Sequence, residues 1–138
     1  MKRIIVATDF SSHSKHTVEH VLDLMRDVNV PCKILLVNTY VVNESNPGLV
    51  IETNDRLKKE SKEKLEEERL AALTSISNPY ITLETSSHMG SLHNVLLKLV
   101  EQYQVDLVAL GKDDGKNVKN IINQLRDKDC EVLVTETV

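Results

Sequence analysis

DLVALGKDDGKNVK, residues 106–119, holds an apolar run over 107–110, a stop at Gly111, a polar turn and a helical pattern beginning near Lys116. That order is strand, turn, helix N-terminus. In an open α/β sheet such a junction seats an anion, often a nucleotide phosphate, because unpaired backbone N–H groups and the helix dipole converge there. Whether this turn still holds a phosphate decides most of the functional question.

Upstream, Leu92, Val95, Leu96, Leu99, Val100 and Tyr103 trace one helix face after a turn at 86–90. Residues 80–85 (YITLET) alternate like a strand with one exposed face, as at a sheet edge. Asn78-Pro79 ends a long charged helix predicted over 54–76, with Leu65, Leu70, Leu73 and Ile76 on its buried side and Lys/Glu pairs such as Glu60 and Lys64 facing solvent. Before it, residues 41–53 (VVNESNPGLVIET) read as a loop with an Asn-Pro-Gly turn at its centre. The apolar residues of that loop either fold over the sheet end or form a partner-facing patch. Residues 34–37 are the second strand, and 3–8 (RIIVAT) are a β-branched run suited to a strand buried on both faces. Between them Val18, Val21, Leu22 and Met25 fall on one face of a helix that Ser11 or Ser12 can cap. Downstream, Val118, Ile121, Ile122 and Leu125 line the last helix, and 132–134 form the last strand. The order βαβαβαβαβ implies a parallel sheet with helices on both faces and a single domain over 1–138.

Composition narrows the function classes. With 41% hydrophobic residues the chain is globular, and a net charge of −4 with no Lys/Arg block argues against duplex nucleic acid. One Phe and no Trp leave no platform for stacking single-stranded bases. The apolar run 4–7 is too short for a signal peptide and no stretch approaches a membrane span, so a cytoplasmic location is expected. Cys32 and Cys130 form no CxxC and read as reduced buried thiols.

Ile4-Ile5-Val6-Ala7-Thr8-Asp9-Phe10-Ser11 with His13-Ser14, Ile34-Leu35-Leu36-Val37-Asn38, His88-Met89-Gly90, Val105-Asp106-Leu107-Val108-Ala109-Leu110-Gly111 and Cys130-Glu131-Val132-Leu133-Val134 together resemble the universal stress protein family, in order and spacing, over nearly the whole chain. Glu131 stands where that family commonly has proline. The resemblance implies a three-layer, Rossmann-like fold (adenine nucleotide alpha hydrolase-like), with a five-stranded parallel sheet in order 3-2-1-4-5. It also implies a crevice between the first and fourth strands that binds ATP in many members. There the phosphates are held by a G-x2-G-x9-G-[ST] loop.

That loop does not thread through this sequence. With Gly111 first, Asp114 takes the second glycine position and Gln124-Leu125 the Gly-Ser/Thr pair. Starting from Gly115 gives Leu125-Arg126, and counting back from Cys130 gives Val118-Lys119. Asp113 and Asp114 occupy the turn, where a like charge near ~4 Å costs about 1 kcal/mol in water and about 4 at a protein surface. Lys112, Lys116 and Lys119 offset part of this. If a nucleotide site is retained, the resemblance assigns it to Thr8, Asp9, Thr39, Gly111, Lys112, Gly115, Lys116, Val118 and Lys119, with Asp9 contacting the nucleotide and the Thr39 backbone meeting adenine. The residues themselves admit a plainer account: Gly111 and Gly115 as turn residues, and Asp9, Asp113 and Asp114 as helix caps.

No catalytic set is present. There is no G-x-S-x-G elbow, no Walker A and no GxGxxG. A response-regulator reading finds Asp9 but places Ser86-Ser87-His88 where the phosphorylated Asp belongs. His13, His16 and His20 share a sector of the first helix and read as an exposed stripe that binds metal only adventitiously; no metal site is expected. The expectation is a non-enzymatic protein acting by association in a stress response, with ATP binding weakened or lost and no resident cofactor. The last strand, from Glu131 to Val138, is expected to be a sheet edge through which two copies pair. The alternatives are a sensor that binds ATP or AMP weakly and a slow nucleotide phosphatase.

Overall fold

β-branched and alternating runs become strands, and 3.6-periodic runs become the helices between them. A computed structural model describes residues 1–43, 45–111 and 118–135. In order these are β1 (Lys2–Ala7), α1 (Ser12–Leu24), β2 (Cys32–Tyr40), α2 (Pro47–Leu73), β3 (Ile81–Met89), α3 (Leu92–Tyr103), β4 (Leu107–Gly111), α4 (Val118–Arg126) and β5 (Glu131–Thr135). All four strand pairings are parallel, in the order β3-β2-β1-β4-β5. β3 and β5 are therefore the edges.

Alternation along the central strands splits the core in two. Ile4, Val6, Ile34, Leu36 and Ala109 pack with Val18, Val21 and Leu22 of α1 and Leu65 of α2. Ile5, Ala7, Val37, Val108 and Leu110 pack on the opposite face with Val95, Leu96, Leu99 and Val100 of α3 and Ile121 and Leu125 of α4. Each central strand thus buries both faces, which is why 3–8 and 107–110 read as unbroken apolar runs. Cys32 and Cys130 are free, buried thiols, and burial pushes the Cys130 thiol up to about 11.

Several expectations are corrected. Asn-Pro-Gly is not a turn inside a loop but the start of α2: Asn46 caps it, its Oδ1 accepting from Gly48 N at 2.9 Å, and Pro47 takes the first turn, where its missing N–H costs nothing. Leu49, Val50 and Ile51 therefore do not fold over the sheet end; on the first turns of α2 they stay 43%, 37% and 71% exposed. β3 runs on to Met89 instead of ending in a turn at 86–90, because β2 supplies a ladder from Cys32↔Ile81 to Tyr40↔Met89 that outweighs the low strand propensity of Ser86-Ser87-His88. Finally, α2 buries Ser61, Leu65 and Glu68, while Leu70 and Leu73 are exposed. Tyr103, placed on the buried face of α3, is 53% exposed. No helix among the described residues is long and apolar enough to cross a membrane.

Candidate functional site at the carboxyl ends of the central strands

The β1–β4 ladder stops at Val6↔Ala109, while β4 continues to Gly111 beside β5. After β1 the chain turns to the face of α1, and after β4 to the opposite face, where α4 packs. Neighbouring strands whose connections leave to opposite faces open a crevice at their carboxyl ends. Thr8, Asp9, Thr39 and Gly111 all lie at that end of the sheet.

Thr8 is buried and fully engaged. Its N–H donates to Val37 O (2.8 Å), its carbonyl accepts from Asn38 Nδ2 (2.8 Å), and its hydroxyl accepts from Phe10 N (3.1 Å) and donates to Glu68 Oε2 (3.0 Å). Phe10 follows in the left-handed region, φ 68°, which makes the tight exit from β1. Asp9 turns back onto α1. Its Oδ1 accepts from Ser14 Oγ at 2.7 Å and from Ser11 N at 3.0 Å, and its own N–H donates to Ser14 Oγ at 3.0 Å. Partial burial pushes the Asp9 carboxyl up, but the hydrogen bonds from Ser11 and Ser14 outweigh it and leave it below the usual carboxylate value. Ser11, not Asp9, caps α1, its Oγ accepting from Ser14 N at 3.3 Å, and Asp9 braces that cap from outside the helix.

The Thr39 backbone faces the β1 side of β2. Val37 O faces β1 and Tyr40 O faces β3, where it accepts from Gly90 N at 2.9 Å. Successive residues alternate sides, so Thr39 turns its N–H and C=O toward the β1 side, beyond Ala7, the last β1 residue paired with β2. Gly111 is buried at the end of β4, level with Thr135 of β5. Val118 opens α4, and Lys119 is exposed in its first turn. Lys112, Gly115 and Lys116, with Asp113 and Asp114, lie outside the described residues.

A polar chain missed from the sequence lies under α2. Ser87 Oγ donates to Ser61 Oγ (2.7 Å), Ser61 Oγ to Asn38 Oδ1 (2.7 Å), and Asn38 Nδ2 to Thr8 O. Glu68 closes it through Thr8. It is 8% exposed, its Oε1 has no hydrogen-bond partner among the described residues, and burial raises its pKa, opposed by the Thr8 hydrogen bond and by Lys15 and reinforced by Asp9. Glu68 also lines a groove of ≈ 560 Å³ between α1 and α2, with Phe10, Lys15, Lys64 and Ala72. Ser61, Leu65 and Glu68 follow i, i+4, i+7 spacing, the one signal that could have exposed this face. It was hidden because two of the three residues are polar.

The sequence profile described as the universal stress protein family matches residues 1–134. The chain belongs to the universal stress protein family. Universal stress protein A of Escherichia coli K12 is 33% identical over 115 residues, which are 80% of this chain and 74% of that one. Hypothetical protein MJ0577 superposes with a TM-score of 0.76 at 21% identity, covering 99% of this chain and 96% of that one. A universal stress protein family protein from Arabidopsis thaliana with AMP bound gives 0.66 at 17% identity (100% and 93% covered). A universal stress protein in complex with cAMP gives 0.65 at 17% (99% and 98%). At these identities the structural likenesses establish the fold.

Proposed function

We propose that this universal stress protein domain is non-catalytic, works in the cytoplasm by association with other proteins, and has weakened or lost ATP binding. The observation that carries this reading is the commitment of Asp9 to α1: the oxygen that holds Ser11 and Ser14 is spent on the fold. The charge of Asp113 and Asp114, which follow β4 in the sequence, acts in the same direction. Association is supported by the open β5 edge, through which two copies would pair, and by the exposed Leu49, Val50 and Ile51 on α2.

A second reading, a weak AMP-type sensor, is favoured by the Thr39 backbone facing the crevice and by the AMP and cAMP complexes of proteins with this fold. Calorimetric titration with MgATP and with AMP separates the two. The first reading expects no heat of binding from MgATP at micromolar concentrations. A micromolar dissociation constant for MgATP overturns it. A measurable constant for AMP alone supports the sensor.

A further inference from the structure

His16 and His20 stand one turn apart on α1, both exposed, with ring centroids 6.5 Å apart and ring planes 30° apart. The turn that carries them is fixed from below. Thr17 and Val18 are 0% and 4% exposed; Thr17 Oγ1 donates to His13 O at 3.0 Å and shares a hydrogen bond with Thr135 Oγ1 of β5 at 2.6 Å. The backbone beneath both imidazoles is therefore set by core packing before any ligand arrives, and only exposed side-chain torsions are left to adjust.

A tetrahedral divalent ion takes imidazole nitrogen at about 2.0–2.1 Å, which places two ligating rings with centroids roughly 5 Å apart. Exposed side chains change rotamer within nanoseconds, so the observed spacing closes without moving the helix. Residues 16–20 read HTVEH, so Glu19 lies between the two histidines in sequence, and Asp23 is one turn beyond it. Both acids are exposed; Glu19 favours a nearby cation, Asp23 is paired with Arg26 at 3.4 Å, and Lys15 opposes the cation. Among the described residues no group of three or more His, Cys, Asp or Glu converges as a metal site.

We propose that His16 and His20 form a two-imidazole site for a divalent transition-metal ion, with water in the remaining coordination positions. Imidazole nitrogen selects Cu²⁺ over Zn²⁺ by the ordinary stability order and leaves aside Mg²⁺ and Ca²⁺, which take oxygen ligands. The sequence expectation is of an exposed stripe that binds metal only adventitiously; the proposal departs from it at His16 and His20, whose rings stand together on α1.

The test is calorimetric titration of the untagged full chain with CuCl₂, ZnCl₂ and MgCl₂. The site requires one ion per chain, Cu²⁺ tighter than Zn²⁺, and no Mg²⁺ binding. His16→Ala and His20→Ala should each weaken Cu²⁺ binding at least about tenfold, the smallest loss typical when even an outer partner of a metal ligand is removed. His93→Ala, on α3, should leave it unchanged. Both rings are exposed, so unchanged melting temperatures will show that the variants fold. Wild-type affinity in His20→Ala overturns the proposal. So does an adventitious ion only: several ions per chain, lost as readily with His93→Ala as with His20→Ala.

Discussion

Glu68→Gln should stabilise the protein near neutral pH and abolish one component of its pH dependence. Glu68 lies 8% exposed on the inner face of α2, and among the described residues it has a single donor, the Thr8 hydroxyl, on Oε2 and none on Oε1. A buried acceptor left without a donor costs about 1–3 kcal/mol, and more when charged. Glutamine keeps an acceptor for Thr8 and the side-chain volume while removing the charge. Its amide hydrogens still lack a partner, so about 1 kcal/mol should be recovered, or about 3–5 °C in melting temperature for a chain of this size.

The sign against pH follows from the raised carboxyl. Unfolded, Glu68 titrates near its ordinary value of 4.5; folded, burial moves it higher, despite the Thr8 hydrogen bond and Lys15. Between the two values the native protein holds a proton that the unfolded chain has released, so stability falls as pH rises through that window and is level above it. Below the window both side chains are neutral and the two proteins should be nearly equally stable. Urea unfolding of wild type and variant from about pH 4 to about pH 8 reads this difference directly and cancels the histidines common to both. A difference that does not change with pH, or a variant less stable than wild type at about pH 8, refutes the reasoning.

Asp9→Ala removes the acceptor for Ser11 N and Ser14 Oγ and should destabilise by about 1 kcal/mol, measured by urea unfolding at neutral pH. Because the Asp9 carboxyl is lowered from 3.8, its contribution is full above that value and fades as pH falls through the lower folded value. Gly90→Ala forces φ 129° on a residue with a side chain. The new Cβ meets Val95 Cγ2 at an ordinary 3.6 Å, so backbone strain of about 1–3 kcal/mol should be the whole loss, read as a lower melting temperature. Glu131 N donates to Asp106 O, so residues 131, 133 and 135 face β4 and Val134 N points outward. Val134→Pro therefore spares the β4–β5 ladder and deletes an edge donor; sedimentation should show a monomer, and an intact dimer would exclude β5 as the seam.

The sequence by itself determined the layers. Residues 3–8 and 107–110 are apolar without alternation because each central strand buries both faces, and Val18, Val21 and Leu22 mark the inner side of α1 through helical periodicity. The strand order followed from resemblance and was reproduced by the sheet. Tertiary structure alone decided what lies under α2. Ser61 and Glu68 look like solvent-facing residues in a Lys/Glu-rich helix, yet they bury against Asn38, Ser87 and Thr8, because partners distant in the chain bond the Ser61 hydroxyl and one oxygen of Glu68. Pattern reading sees polarity and local spacing. It does not see a donor sixty residues away, as Thr8 is from Glu68, and that donor decides which face of a mixed helix turns inward.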